Sequence, residues 1–403
     1  MSRRVPVHAV HLGAATLLRV SAEGLGAGLV LVVQARTGQP ALAGFLQAAV
    51  MLPYVVAGPV VGHALDRTGR PRAFALALAG CYVLAAASLM LTAGRVPLAV
   101  ALAVAVAVGC AEPIVVAFTG LLPRFVPAHR LTSAYGLEAA TYNIAAIAGP
   151  GLAAAMAAGP GAEYAGPAVV GSAALGLLLL PLWAVPPPSP TSSGPPAEAP
   201  PATGRWPALE VIAGGLVVLL ANRVLRAVTC ATTVAFLGVG GVAVTAVLFA
   251  EHLGESAGMG GRLIAAFAVG SLIGSLASAR WLSARRAEGV LLGGMVAFGL
   301  ALASIVAAPS PSWALAGFVL AGVFDGPVFA ATLTLRQREA PADRLGQVNT
   351  TGGSLKIGSA ALGAALTGAL AAPLGAVGLL LAIAACQLLG AAAGALLLLR
   401  GRG

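Results

Sequence analysis

The chain has 403 residues, of which 59% are hydrophobic and only 9% are charged, and its formal net charge is +10. A soluble protein of this length does not present so much apolar surface to water, so the composition excludes an ordinary soluble enzyme or binding module.

Twelve stretches are long and apolar enough to predict membrane-spanning helices. A further apolar stretch, residues 208–221, is short for a span, and we interpret it as an interfacial segment. The twelve predicted spans are residues 12–34, 41–64, 73–94, 96–120, 133–158, 165–185, 227–250, 262–282, 289–308, 312–335, 347–372 and 374–399.

A proline-rich segment, residues 186–207, separates six predicted spans from six. Proline at this density cannot continue a helix, so the segment predicts a linker. We therefore expect an N-terminal bundle at residues 1–185 and a C-terminal bundle at residues 208–403. The halves share a faint repeat, since adding 214 to the residue number carries Arg130 onto Arg344 and Pro113 onto Pro327.

The basic residues predict topology rather than nucleic-acid binding. With both termini on one side, that side holds most of the 23 Lys and Arg residues, including Arg336 near the predicted end of span 10. Cations accumulate on the cytoplasmic side of membrane proteins. We therefore expect a multi-pass protein of the plasma membrane with both termini and the linker in the cytoplasm, in contact with membrane lipid.

The loop at residues 62–72 resembles the signature loop between helices two and three of the major facilitator superfamily of transporters, G-x-L-a-D-R-x-G-R-K. The matching positions are Gly62, Asp66, Arg67, Gly69 and Arg70. This resemblance implies an all-helical membrane protein with two pseudo-symmetric six-helix bundles and alternating access. It also implies a gating loop, in which Asp66 pairs with cations and with the positive N-terminal end of span 11. The alternative is a solvated loop that only enforces topology.

Four charged residues lie in spans that line the central cavity of the resembled family: Arg19 and Glu23, Glu112, and Asp325. Counted from the inner helix ends, Arg19, Glu112 and Asp325 lie roughly 10–15 Å deep, so they could meet in one layer. Two interpretations stay open. Arg19 and Glu23 form a structural ion pair beside acids in wet cavity walls, or the acids bind a cation or carry the coupling proton.

Two further charges, Glu138 in span 5 and Lys356 in span 11, lie near the predicted cytoplasmic helix ends. The 214-residue offset carries Tyr142 onto Lys356, one helical turn from Glu138. In the resembled fold these helices approach each other across the cytoplasmic gate, so we expect the two charges to pair there. The alternative is that each reaches the inner surface alone.

The sequence Gly149-Pro150-Gly151 in span 5 resembles the core of the family's antiporter signature. Helix packing through small residues explains it equally well, and we assign these residues to packing. Residues 100–108 lack the arginine that many drug:proton antiporters carry in span 4. A standard proton relay is therefore not expected.

We predict secondary export of a small organic molecule, coupled to protons, by a monomer that binds no nucleic acid. A solute importer of the same fold is the alternative, and a non-transporting membrane scaffold is the alternative from another class. The four Cys residues show no metal-ligand spacing, and no catalytic or phosphate-binding motif is present, so we expect no enzyme, metal or cofactor.

Overall fold

The computed structural model describes residues 7–38, 40–180, 207–255 and 257–399, and all regular elements in these ranges are helices. Most of the predicted linker, at residues 186–206, lies outside the described residues. The α-helices are α1 Val7–Thr37, α2 Pro40–Arg67, α3 Pro71–Thr92, α4 Leu98–Ala111, α5 Ile114–Ala117, α6 Leu131–Ala158, α7 Ala165–Leu179, α8 Pro207–Ala221, α9 Arg223–Val239, α10 Val242–His252, α11 Ala257–Trp281, α12 Ala287–Ile305, α13 Pro311–Glu339 and α14 Leu345–Leu399.

The predicted spans correspond to helices. Within the described residues, nine helices are long and apolar enough to cross a membrane, and the bent pair α8 and α9 adds a tenth candidate. Of these nine, α14 has 55 residues, about 82 Å of helix, which exceeds twice the hydrocarbon thickness of roughly 30 Å. Helix α6 has 28 residues and is long enough to span, but it is not among these nine.

Two predicted spans are irregular, although residues Leu98–Arg124 of span 4 still form one candidate span. Span 4 stops as an α-helix at Ala111, and α5 and a 3₁₀ helix, Phe118–Arg124, follow. Pro113, which has no backbone N–H to donate, lies at that break. Span 7 begins earlier than predicted, at Arg223, and breaks at Gly240 and Gly241 between α9 and α10.

Glycine and proline divide α14 into the two spans that the sequence predicts. Gly375 has φ 60° and ψ −179°, a left-handed conformation that side chains disfavour, and Pro373 precedes it. The predicted boundary between spans 11 and 12, at residues 372–374, coincides with this kink.

The interfacial segment predicted at residues 208–221 forms helix α8. The chain bends by 110° between residues Ala213–Ala221 of α8 and helix α9. Asn222 lies at this bend, where its side-chain oxygen accepts hydrogen bonds from the backbone N–H groups of Val224 at 2.8 Å and Leu225 at 3.1 Å. Asn222 is therefore the N-cap of α9, and its side chain stabilises the start of that helix directly after the bend. The location of α8 in the membrane interface stays a prediction.

The chain divides into two compact units that exchange short helical segments. The first unit is Met1–Ala128, Ile144–Leu216 and Pro341–Ser354, and the second is His129–Asn143, Val217–Ala340 and Leu355–Gly403. The first turns of α14 therefore belong to the first unit, and the first half of α6 belongs to the second. The simple division into residues 1–185 and 208–403 stays a prediction.

Each unit has its own buried apolar core. In the first unit, Leu18, Leu29 and Leu46 are fully buried together with Tyr82. In the second, Phe249, Phe298 and Phe318 form one cluster, and Ala139 of α6 packs in another with residues of α9, α12, α13 and α14. These cores hold the helices that carry the charged residues described next.

Candidate functional site

The side chain of Asp66 binds the N-terminal end of α14. Its Oδ1 accepts a hydrogen bond from the backbone N–H of Gly346 at 2.8 Å, and its Oδ2 accepts one from Gln347 at 2.8 Å. These are the second and third residues of a helix whose first N–H groups have no acceptor within the helix. A carboxylate is favourable at this end, because the helix dipole is positive there.

Glycine at position 62 allows α2 and α14 to touch beside this contact. A Cβ atom on Gly62 would lie 2.6 Å from the carbonyl oxygen of Gly346, and one on Gly58 would overlap the hydroxyl of Ser354. Gly58, Gly62 and Asp66 are spaced by four residues and share one face of α2. The small residues thus bring the carboxylate to the helix end.

The other signature positions lie in solvent. Arg67, Gly69 and Arg70 are exposed, and a Cβ on Gly69 would meet no atom within 4 Å. Of the five matching positions, Gly62 and Asp66 make the contact with α14. A role of the whole loop in gating stays a prediction.

The guanidinium of Arg19 binds the broken part of span 4. Its Nε and Nη2 donate to the carbonyl oxygen of Val115 at 3.1 and 3.0 Å, and Nη2 also donates to the Thr119 hydroxyl at 3.2 Å. Arg19 is only 1% exposed. The bonds to the Val115 carbonyl were not predicted from the sequence. The available signal was Pro113, because proline lacks a backbone N–H and disturbs the regular hydrogen bonding of a helix.

Two acids lie within electrostatic reach of one another in the first unit. Glu23 interacts with both Arg19 and Glu112. Glu23 is exposed and Glu112 is partly buried. Nearby, the buried Tyr82 hydroxyl donates to the hydroxyl of Ser21 at 3.2 Å. Three of the four predicted cavity residues therefore come together in this unit.

Asp325 belongs to the second unit, where its Oδ2 accepts a hydrogen bond from the Ser271 hydroxyl at 2.8 Å. It lies within electrostatic reach of Lys356. Its predicted meeting with Arg19 in one layer stays a prediction.

Lys356 lies among aromatic rings and other charges. Its Nζ is 4.5 Å from the ring centroid of Phe236 and 4.8 Å from that of Phe329, both within cation–π range. The charges that act on it are Arg336 and Asp325. Glu138 lies in the same unit and is fully buried, and its predicted pairing with Lys356 stays a prediction.

Arg336 lies inside a helix and not beyond its end. It was expected on the cytoplasmic face just after predicted span 10, and that location stays a prediction; α13 continues to Glu339, and Arg336 is buried with 3% exposure. The helix continues because no residue breaks it before Pro341. The lack of a helix-breaking residue between 335 and Pro341 could have predicted this longer helix from the sequence.

Packing explains only part of the Gly149-Pro150-Gly151 motif. A Cβ on Gly149 would lie 2.6 Å from the backbone N of Gly24 in α1, so this glycine permits close contact. Pro150 lies inside α6 without ending it. Gly151 is exposed and would meet no atom within 4 Å, so the packing role assigned to it does not hold.

In the described ranges, no group of three or more His, Cys, Asp or Glu residues is arranged to hold a metal ion. The described charged residues instead form small groups of carboxylates and cations on transmembrane helices. Such residues are expensive in hydrocarbon, and they mark pathways for ions or solutes.

The sequence profile of the Major Facilitator Superfamily matches residues 12–351 and 228–403. The chain belongs to the major facilitator superfamily. A protein described as an uncharacterised MFS-type transporter, y4rN of Sinorhizobium fredii, is 28% identical over 360 residues, which is 88% of this chain and 86% of that protein.

Solved structures of this superfamily share the fold. The human organic anion transporter MFSD10 superposes with a TM-score of 0.79 at 16% identity, covering 98% of this chain and 100% of that chain. The E. coli fucose:proton symporter FucP superposes with a TM-score of 0.76 at 14% identity, covering 97% and 98%. The chain is thus a secondary transporter of the MFS fold and not an enzyme.

Proposed function

We propose that this MFS transporter exports a small organic molecule in exchange for protons by alternating access. The observation that carries the proposal is the pair Glu23 and Glu112, two carboxylates within electrostatic reach of each other on transmembrane helices. Two neighbouring carboxylates favour the uptake of a proton or a cation between them, because their negative charges repel each other.

Arg19 links this pair to the rest of the unit. It acts on Glu23 electrostatically and at the same time holds the carbonyl of Val115, three residues after Glu112. A change in protonation of Glu23 or Glu112 therefore alters the charge balance around a guanidinium that is bonded to the broken helix. This gives a physical route from proton binding to a change in helix position.

The Asp66 contact supplies the two-state element that alternating access needs. Its hydrogen bonds with Gly346 and Gln347 can form in one state and part in another. The excess of basic residues in the predicted cytoplasmic loops supports an orientation with this contact on the cytoplasmic side of the plasma membrane.

The test is solute-dependent proton movement in proteoliposomes that contain the purified chain and an internal pH-sensitive dye. Antiport moves protons against the direction of the solute, and symport moves them with it, so the sign separates exporter from importer. Glu112→Gln and Glu23→Gln should abolish the proton signal. The matched control is Glu163→Gln, which removes an exposed acid paired with Arg95 at 3.0 Å.

Absence of proton movement with every solute that the protein carries would overturn proton coupling. Absence of any carried solute, in a preparation that remains folded, would favour a non-transporting scaffold.

A further inference from the structure

The second unit contains a ladder of charges at increasing depth in its helices. Counted from the end where α13 stops and α14 begins, Arg336 lies about 5 Å along its helix, Lys356 about 16 Å and Asp325 about 21 Å. Lys356 lies within electrostatic reach of both of the other residues. The ladder holds two cations and one acid.

Arg336 has two hydrogen-bond donors that no described residue accepts. Its Nε and Nη2 atoms are buried without a hydrogen-bond partner in the described ranges, and the whole residue is only 3% exposed. Two unpaired donors on a buried guanidinium are strongly unfavourable, because they have lost water and gained no hydrogen bond. These donors form a fork that matches the two oxygens of a carboxylate or a phosphate-like group.

Lys356 offers the second positive charge. It is 6% exposed, and the rings of Phe236 and Phe329 stand against its ammonium group. Rings attract the cation weakly and do not neutralise it. Asp325 compensates one positive charge, so one remains in excess within the ladder.

Partly exposed rings lie beside the cations. Phe236, Phe329 and Tyr142 are each partly exposed, and the rings of Tyr142 and Phe329 meet edge to face at 5.1 Å. An apolar or aromatic body could pack on these rings while its charged group reaches the cations. The deeper acid, Asp325, repels a second negative charge and limits how far the anionic group enters.

We propose that the transported molecule is an organic anion whose single acidic group binds Arg336 and Lys356 and whose apolar body packs against Phe236, Phe329 and Tyr142. This inference rests on the proposed function, since it names the substrate class of the same transporter. An acidic group would satisfy the two free donors of Arg336 and cancel the excess positive charge.

The experiment measures binding of small aromatic probes to the full-length protein, purified in detergent without carboxylate buffers. The anionic probes are benzoate, benzenesulfonate and phenylphosphonate, and the matched probes are the neutral benzamide and the cationic benzylammonium. Titration calorimetry or thermal shift should show binding of at least one anion at millimolar concentration or below, and much weaker binding of the neutral and cationic probes.

Variants then locate the anion. Arg336→Gln and Lys356→Met should each weaken anion binding by about tenfold or more, since each removes a charge-assisted contact. Arg336→Lys keeps the charge without the fork, so it should bind benzoate several-fold more weakly than the wild type and provides a conservative variant if the others do not fold. The control is Arg262→Gln, which removes an exposed cation from α11 of the same unit.

Two results would overturn the inference: no anion binding to folded wild-type protein, or anion binding that Arg336→Lys and Arg262→Gln change to the same small extent. Binding in detergent requires neither flux nor a proton gradient. Anion binding without solute-dependent proton movement would leave this inference standing and refute the proposed function. Export of an organic cation in exchange for protons would support the proposed function and refute this inference.

Discussion

The carboxylate of Asp66 accepts a 2.8 Å hydrogen bond from the backbone N–H of Gly346, a residue 280 positions later in the chain. Charge-assisted hydrogen bonds of this kind contribute about 1.5–3 kcal/mol each. Together with the bond from Gln347, this makes Asp66 a cap of α14 supplied by a helix that is distant in the sequence.

Asp66→Asn should reduce transport by about tenfold, because the amide loses the charge and can accept with only one atom. The measurement is flux in proteoliposomes at matched protein content. The control is Asp343→Asn, which neutralises an exposed acid just before α14. Unchanged flux in Asp66→Asn would refute the gating role.

Gly62→Ala should reduce the yield of folded protein or abolish flux, because its Cβ would lie 2.6 Å from the Gly346 carbonyl oxygen. Gly69→Ala should behave like the wild type, since nothing lies within 4 Å of that position. Both glycines belong to the same loop motif. Size-exclusion chromatography and flux of the two variants therefore show whether a glycine is needed for the contact between α2 and α14 or for the motif in general. Equal tolerance of the two changes would contradict the close approach of α2 and α14.

Arg19→Lys should lower the melting temperature in detergent, because lysine cannot keep the geometry of the three bonds to Val115 and Thr119. Loss of these bonds to a buried carbonyl should destabilise the protein by about 1–3 kcal/mol. Arg95→Lys, at an exposed ion pair, is the control and should cause little change. A melting temperature equal to that of the wild type would show that the carbonyl does not need the guanidinium.

Glu112→Gln and Asp325→Asn should shift or remove the pH dependence of transport if either acid carries the coupling proton. The reason is that an amide side chain does not take up a proton in the pH range in which a carboxylate does. The measurement is initial flux across a series of pH values at constant solute. If both variants keep the profile of the wild type, both acids are structural, and Glu23 is the one member of the proposed pair left to carry the proton.

The charge exchange Glu138→Lys with Lys356→Glu should restore activity that each single change removes, if the two residues pair across the gate. Both residues are buried, so removal of one partner would leave an uncompensated buried charge, which is strongly destabilising for a two-state contact. Flux of the double variant is compared with that of each single variant. A double variant no better than the worse single one would exclude the pair and leave Lys356 to its contacts in the second unit.

Much of the fold could be predicted because span positions depend on local hydropathy. Boundaries agree within a few residues for most spans, and the kink at Gly375 coincides with the predicted gap in α14. The location of Asp66 at the start of α14 followed from the family resemblance. The division into two exchanged units could not be predicted, because it depends on which helices pack together and not on local composition.

The charged residues were harder to place, because their partners are distant in sequence. Arg19 binds the carbonyl of Val115, 96 residues later in the chain, and local hydropathy does not indicate which distant backbone group a buried guanidinium contacts. Predicted span 10 ends just before Arg336 because a window of apolar residues ends at 335, whereas helical hydrogen bonding continues to Glu339. Long-range partners and true helix ends are tertiary properties that a single sequence specifies only weakly.

The Asp66 contact also sets a delay during biosynthesis. Its partner Gly346 lies 280 residues downstream, and ribosomes add about 5–20 residues per second, so roughly 14–56 s pass before both partners exist. During that interval the face of α2 that carries Gly58 and Gly62 has no helix α14 to pack against. The nascent chain must therefore keep this face protected by lipid or by the insertion machinery until span 11 emerges.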